Sequence, residues 1–451
     1  MPVIGFSPTD RHPARSRSGM AIRKSTLALI LIAIYLVGAH LRLSLVSGGQ
    51  TIVPMYLMLM SAALMTLMYQ GVMLRRAVAP LFAIMIFALV QPMLATAPGA
   101  SATDQLPRIL SFIVAVISGV AALVAMTEVP PEKLRRLLIG LWLVLVGLVL
   151  LESMGLKPVF DSIKTALYAG SGRGLYEATA RDLALYGVTR ATAFASEPSH
   201  LADSLSALTF MAYILHPRRG SLGSILTVVA MFLVGYLVSP SFKTSFYILA
   251  LLIWAFWPRS LRGIVALIAL ILMVSTLFAI FSREVLVFFN NVAGVHMASG
   301  SFFGRMLAGP LAAHDILGTY PMLGVGLGNF DGALPAIVQI WNDSGALVLF
   351  PWYAPLGAAD LMSSGFWWQW FFLGLFGGAV FSVLILWLLR DLGVEAPLRS
   401  LICTWIIWYP GAGFVDARSW FILAFVSLSV AGTASGRKRA RAQDPTPHPF
   451  G

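Results

Sequence analysis

The chain has 451 residues, of which 58% are hydrophobic and only 11% charged, with a formal net charge of +12. A mean hydropathy of +0.84 excludes an ordinary soluble domain and fits a protein dissolved in lipid. The basic excess does not point to nucleic acid, because the cations sit in short stretches between apolar runs, as in cytoplasmic loops.

Residues 1–25 form a polar N-terminal segment carrying Arg11, Arg15, Arg17, Arg23 and Lys24. The apolar run that follows, Leu27 to Val46, is longer than a signal-peptide core and predicts a retained first membrane helix. A span needs about 20 mostly apolar residues. Windows of that kind lie at 26–46, 51–69, 77–95, 109–126, 137–152, 193–215, 221–239, 243–257, 263–282, 362–389, 400–411 and 418–434. Of these, 400–411 is short and 243–257 carries Lys243. With the N-terminus inside, the inner connectors hold Arg75/Arg76, Lys133/Arg135/Arg136, Arg218/Arg219, Arg259/Arg262, Arg390/Arg399 and the basic tail at 435–451. Most of the 31 basic residues then lie inside. The expectation is an all-α integral membrane protein, with a polytopic domain over 26–434, twelve spans and both termini cytoplasmic.

Two outer segments interrupt the short loops, at about 153–192 and about 283–361. Long connectors with structure of their own usually carry function, and the apolar stretch Ala346 to Tyr353 predicts short helices at the membrane surface. The single cysteine, Cys403, rules out an intramolecular disulfide and a cysteine-based metal site. No metal or other cofactor is expected.

The first outer segment supplies Lys157, Lys164, Arg173, Arg181 and Arg190 against Asp161, Glu177 and Asp182. Outer cations do not help orientation, whereas guanidinium forks suit phosphate oxygens. The alternative is a solvated loop whose charges pair with its own acids. Arg190 and Glu197 adjoin the next span, where ionisable groups are costly unless used. On a helix Glu197 and His200 would share a face, and Glu197 could serve as a base or orient an arginine. His200 by itself reads as structural. Lys243, flanked by Ser241, Thr244 and Ser245, either snorkels to the interface or marks an anion site. In the second outer segment Arg305 and His314 fall on opposite sides of a continuous helix, converging only if Pro310 breaks it. The run Pro321-Met-Leu-Gly-Val-Gly-Leu-Gly-Asn-Phe330 lacks the strand and helix of a nucleotide loop. Gly324, Gly326 and Gly328 therefore specify a tight backbone path.

Over roughly 170–390 these elements together resemble the O-antigen ligase and polymerase family of bacterial membrane glycosyltransferases. Arg190…Glu197-Pro-Ser199 is similar to the family's arginine-spaced Glu-Pro-Ser entry to a span. The basic turn at Lys243 matches a position where the family more often has arginine. Arg305, His314 and the glycine run look like the family's second loop. The resemblance implies an outer-face active site in the bacterial inner membrane, and a donor glycan on undecaprenyl diphosphate. Arg190, Lys243 and Arg305 would hold the diphosphate, with Glu197 or His314 assisting the acceptor hydroxyl. Ligases of the family usually carry a His-Asn pair before the next span. Here Leu361-Met-Ser-Ser-Gly-Phe-Trp-Trp-Gln-Trp370 has no histidine, which favours a polymerase of exopolysaccharide or O-antigen repeat units. A chain-length regulator or export proteins would be partners, besides the bilayer. The alternatives are a ligase acting on lipid A core or protein, and a transporter. A transporter predicts mid-membrane charges and comparable halves, and no internal repeat is evident.

Overall fold

Runs rich in leucine, valine, alanine and methionine wind into helices because lipid leaves backbone polar groups no partner but each other. A computed structural model of the protein describes residues 17–47, 50–98, 102–169, 182–183, 189–258, 260, 262–263, 265, 300–411 and 413–428. The span expected at 263–282 lies almost wholly outside these residues, as do Arg173, Arg181 and the C-terminal tail.

The first half runs α1 (Arg17–Leu41), a two-stranded antiparallel hairpin (β1 Leu45–Ser47, β2 Gln50–Val53), α2 (Tyr56–Arg76), α3 (Val78–Leu94), α4 (Ala102–Glu128) and α5 (Pro131–Leu151). The chain continues with α6 (Lys157–Tyr168), α7 (Pro198–Ile214), α8 (Leu222–Val238) and α9 (Lys243–Ala255). Beyond residue 300 come α10 (Ala308–Thr319), α11 (Phe330–Asp343), α12 (Gly365–Asp391), α13 (Pro397–Trp408) and α14 (Ala417–Leu428). Apart from the hairpin, the described fold is helical.

Among the described residues five helical stretches are long and apolar enough to cross a membrane. They are Lys24–Leu41, Tyr56–Arg76, Gln105–Glu128, Pro131–Tyr168 and Gly365–Asp391. Shorter apolar helices, α3, α8, α9 and α14, complete the bundle. This is a helical membrane protein. α1 packs on α2 and α2 on α4, while α7 packs against α5, α8 and α9, and α9 against α13. At Gly119 of α4 a Cβ would stand 2.7 Å from the Trp420 carbonyl oxygen, so the missing side chain lets α14 lie close.

Several helices are shorter than their apolar windows, for local reasons. α7 starts at Pro198 because proline suits the first helical position, with Glu197 extended before it (φ −142°, ψ 150°). Residues 193–197 of the expected span are therefore not helical. α5 leads into a π-turn at Glu152–Leu156, where Gly155 (φ 104°) redirects the chain into α6. α6 buries Phe160, Lys164 and Tyr168 and exposes Val159, Ile163 and Leu167. Two short helices lie within residues 283–361, Ala346–Leu349 and Ala358–Leu361.

Candidate functional site: a cation cluster at the mouth of an apolar cavity

The segment before α7 is held by three neighbouring elements. The buried carboxylate of Glu152 accepts from the backbone N–H of Thr192 and of Ala193, both at 2.9 Å. The Tyr168 hydroxyl donates to the Phe194 carbonyl at 3.0 Å and to the Leu41 carbonyl at 2.5 Å. His40 places Nε2 2.9 Å from the Ala193 carbonyl and Nδ1 3.0 Å from Ser204 Oγ. A carbonyl only accepts, so Nε2 carries a proton. These bonds hold Ala193 (φ 45°) and Phe194 (φ 68°) in left-handed backbone, which side chains disfavour. Phe194 stacks on Phe160 of α6 with ring centroids 4.4 Å apart.

One and a half turns into α7, Asp203 is only 3% exposed and faces several basic groups. Lys243 Nζ, at the start of α9, donates to Asp203 Oδ2 at 3.0 Å. Arg418 of α14 forms an ion pair with the same oxygen, and the Arg42 guanidinium after α1 lies 3.7 Å from it. Arg305 is close enough for its charge to bear on Lys243. It sits in a π-turn at Phe303–Leu307, with its guanidinium 6.0 Å from the Phe242 ring. Lys243 also packs on Gly411, where a Cβ would come 3.3 Å from Nζ. Ser206 donates to the Thr244 hydroxyl at 3.2 Å, tying α7 to α9 beside the cluster.

Asp203 and Arg418 also line a cavity of about 210 Å³. His40, Ser204, Ala193 and Phe194 stand with them at its polar end. The remaining wall is apolar, drawn from α1, α5, α7 and α14, and includes Leu36, Leu145, Leu208, Met211, Phe421 and Phe425. The arrangement can seat a hydrocarbon chain with an anionic head against the cations.

The glycine run forms a different structure. α12 is interrupted at Gly374 (φ 68°, ψ −178°), and the loop 321–328 supplies the bonds the helix loses there. Val325 N–H donates to the Phe371 carbonyl at 2.8 Å and Gly326 N–H to the Phe372 carbonyl at 3.0 Å. In return Leu375 N–H donates to the Pro321 carbonyl at 2.7 Å and Gly377 N–H to the Met322 carbonyl at 2.9 Å. Buried Gln91 of α3 completes the joint. Its amide donates to the Phe372 carbonyl at 2.9 Å and to the Leu323 carbonyl, and its oxygen accepts from Leu327 N–H at 2.9 Å. Gly324 (φ 62°), Gly326 (φ 96°) and Gly328 (φ 81°) all have left-handed backbone. At Gly324 a Cβ would strike the Phe371 carbonyl oxygen. Arg108 donates to the Gly328 carbonyl at 2.6 Å and lies over the Phe330 ring.

The residues singled out from sequence therefore divide. Lys243 and Arg305 come together. Arg190 is engaged by Asp182, its Nε donating to Oδ1 at 3.0 Å with the second nitrogen at 2.9 Å from the same oxygen. Glu197 is not bound to Arg190: its side chain is 46% exposed, accepts from Ser199 Oγ at 3.1 Å, and lies 3.9 Å from His200 Nε2. Glu197 precedes the helix as its N-cap rather than sharing a helical face with His200. Pro310 lies in the first turn of α10 and does not break it, so His314 stays exposed on that helix. Lys157 and Lys164 both pair with Asp161, at 2.7 and 2.8 Å. Sequence reasoning missed Asp203, Arg42, Arg418, His40 and Glu152. The signal for Asp203 was present, since an aspartate inside an apolar helix is a functional flag by itself. Among the described residues no group of three or more His, Cys, Asp or Glu side chains could hold a metal ion. The chain matches no protein-family model, no curated protein and no solved structure.

Proposed function

We propose that the protein is a membrane glycosyltransferase that polymerises undecaprenyl-diphosphate-linked repeat units on the periplasmic face of the bacterial inner membrane. The observation that carries this reading is the meeting of Lys243, Arg418 and Arg42 on one carboxylate, Asp203, at the polar end of an apolar cavity. Lys243 and Arg418 alone outnumber that carboxylate. A diphosphate with two or more negative charges offsets the excess, and a polyprenyl chain suits the apolar wall.

In the proposed step the acceptor hydroxyl oxygen bonds to the anomeric carbon of the donor while the bond from that carbon to the diphosphate oxygen breaks. The hydroxyl proton passes to a base, and undecaprenyl diphosphate leaves. Charge develops on the diphosphate, where fixed cations stabilise it without reorganising. Lys243 and Arg305 take that role together with Arg42 and Arg418, and Arg190 lines the approach from its seat on Asp182. Glu197, half exposed and able to accept, is assigned to the acceptor hydroxyl; His314 is the other basic group of the outer segments. The twelve-span arrangement with both termini cytoplasmic belongs to the same reading. It is supported by the Asp203 cluster, which joins the end of α1 to the starts of α7, α9 and α14, all outer ends in that topology.

The test is glycan chain length in cells expressing single variants. Lys243→Ala and Arg305→Ala should leave protein in the membrane but abolish long chains. Wild-type chain lengths in both would reject the assignment. Purified protein given lipid-linked oligosaccharide with either a second repeat unit or lipid A core separates polymerase from ligase. Label appearing only on lipid A core would make it a ligase.

A further inference from the structure

At the opposite ends of α7, α9 and α13 lies a second basic cluster that the proposed reaction does not use. Trp254, near the end of α9, is buried and sits between two arginines. The Arg399 guanidinium of α13 is 4.6 Å from the indole ring and that of Arg219, in the α7–α8 connector, is 5.4 Å from it. Tyr213 of α7 meets the same ring edge to face. Such contacts hold guanidinium groups in place. Beside them His216 is surrounded by cations. Burial, then the charge of Arg135, with Arg218 and Arg219 adding to it, holds its imidazole below the ordinary value, so it is neutral at neutral pH.

The hydrogen bonding there is one-sided. Among the described residues Trp254 Nε1 and Arg399 Nε are buried nitrogen donors with no acceptor. Buried donors normally find partners, and each orphan costs about 1–3 kcal/mol. The group missing from this end of the bundle is therefore an anion rich in acceptor oxygens. Lys243 and Trp254 are separated by 11 positions of one helix, about 16 Å at 1.5 Å per residue. The two clusters are accordingly distinct sites.

We propose that Arg219, Trp254 and Arg399 form a binding site for the phosphate headgroup of an anionic membrane lipid, at the end of the bundle away from Asp203. Phosphate supplies the oxygens that the orphan donors lack, and guanidinium groups bind it in the bidentate manner. A lipid is favoured over a soluble phosphate because the cluster lies at the ends of apolar helices with exposed faces, among them Leu249 and Leu252 of α9.

The experiment is lipid retention by the purified full-length protein. It is exchanged into nanodiscs of phosphatidylcholine doped with either phosphatidylglycerol or additional phosphatidylcholine, and bound lipid is read by native mass spectrometry after extraction. Phosphatidylglycerol should be retained preferentially, and Arg219→Gln/Arg399→Gln should weaken retention about tenfold, equivalent to about 1.4 kcal/mol. Trp254→Phe, which keeps the ring and removes the donor, serves if the double variant is poorly folded, and should show a smaller loss in the same direction. Equal retention of the two lipids, or unchanged retention in the folded variants, would overturn the proposal. Displacement of phosphatidylglycerol by millimolar inorganic phosphate would overturn the lipid assignment in favour of a soluble phosphate. Glycan polymerisation is not the readout, so failure of the glycosyltransferase reading leaves the result intact.

Discussion

The Asp203 cluster and the Gly374 joint are both places where membrane helices depart from regularity, but they are completed in opposite ways. At Gly374 the polar groups freed by the broken helix meet partners in the 321–328 loop and Gln91. The joint is closed and asks for nothing more. At Asp203, among the described residues, one carboxylate faces both Lys243 and Arg418 beside a cavity. A self-satisfied polar region in lipid is architecture, whereas a surplus of one sign marks a place for a ligand.

The comparison is most exposed to Asp203→Ala. Removing the shared carboxylate leaves buried cations facing one another and should destabilise the protein by about 3–5 kcal/mol. Thermal unfolding followed by size-exclusion in detergent reads this, and an unchanged midpoint would show that the cations do not depend on Asp203. Adding the diphosphate-bearing lipid should recover part of the loss in Asp203→Asn, while no ligand should rescue the joint. Gly374→Ala comes next. Its backbone (φ 68°, ψ −178°) is a region essentially reserved for glycine, so the substitution should cost about 1–3 kcal/mol before any clash with Leu323. Gln91→Leu leaves Leu327 N–H without its acceptor and should lower the midpoint by a comparable or smaller amount, about 1–3 kcal/mol. Lipid binding at the Asp203 cluster should be unaffected in that variant. A loss of binding equal to that in Lys243→Ala would mean the two regions are not independent.

The smallest effect concerns α6. Burial pushes the Asp161 carboxyl up, but bonds from Lys157 and Lys164 outweigh it and hold the group below its ordinary value. Its contribution is thus present above the unfolded pKa of about 4 and is lost as pH falls through the lower folded value. Because the side chain is 44% exposed, the gain is screened and modest. Proteolytic cleavage within α6 should be flat from neutral pH to about 5 and rise only in stronger acid. Asp161→Asn should remove the pH dependence.

The long uninterrupted spans were legible because lipid imposes a length and a composition, as α2 and α4 illustrate. Gly324, Gly326 and Gly328 were legible as a tight path, since three glycines in five positions have few other uses. Their partner was not, because nothing in the stretch around Gln91 announces contact with residues 230 positions away. The same limit applied to the cation cluster. Lys243 and Arg305 could be picked out beside their apolar flanks, whereas Arg42 and Arg418 stand far from Asp203 in the sequence and carry no local motif. Asp203 stands alone in its stretch of α7, and its basic partners come from positions 42, 243 and 418, which no local pattern connects to it. Arg190 is held for a local reason that its neighbours in sequence do not show: Asp182 offers its carboxylate to both the backbone N–H and the guanidinium of Arg190.

The interrupted helix also orders the making of the protein. Gln91 and the loop 321–328 both precede Gly374 in the chain, so synthesis from the N-terminus delivers both partners before the break that requires them. A nascent chain that ends before Phe371 holds a loop whose Val325 and Gly326 N–H groups have no carbonyls to meet. When residues 371–377 arrive, they find a template already in place, and the broken helix enters lipid with its backbone satisfied. A ribosome paused between Gly328 and Phe371 should therefore carry a nascent chain with a protease-sensitive loop, and that sensitivity should vanish once residue 377 has cleared the insertion machinery.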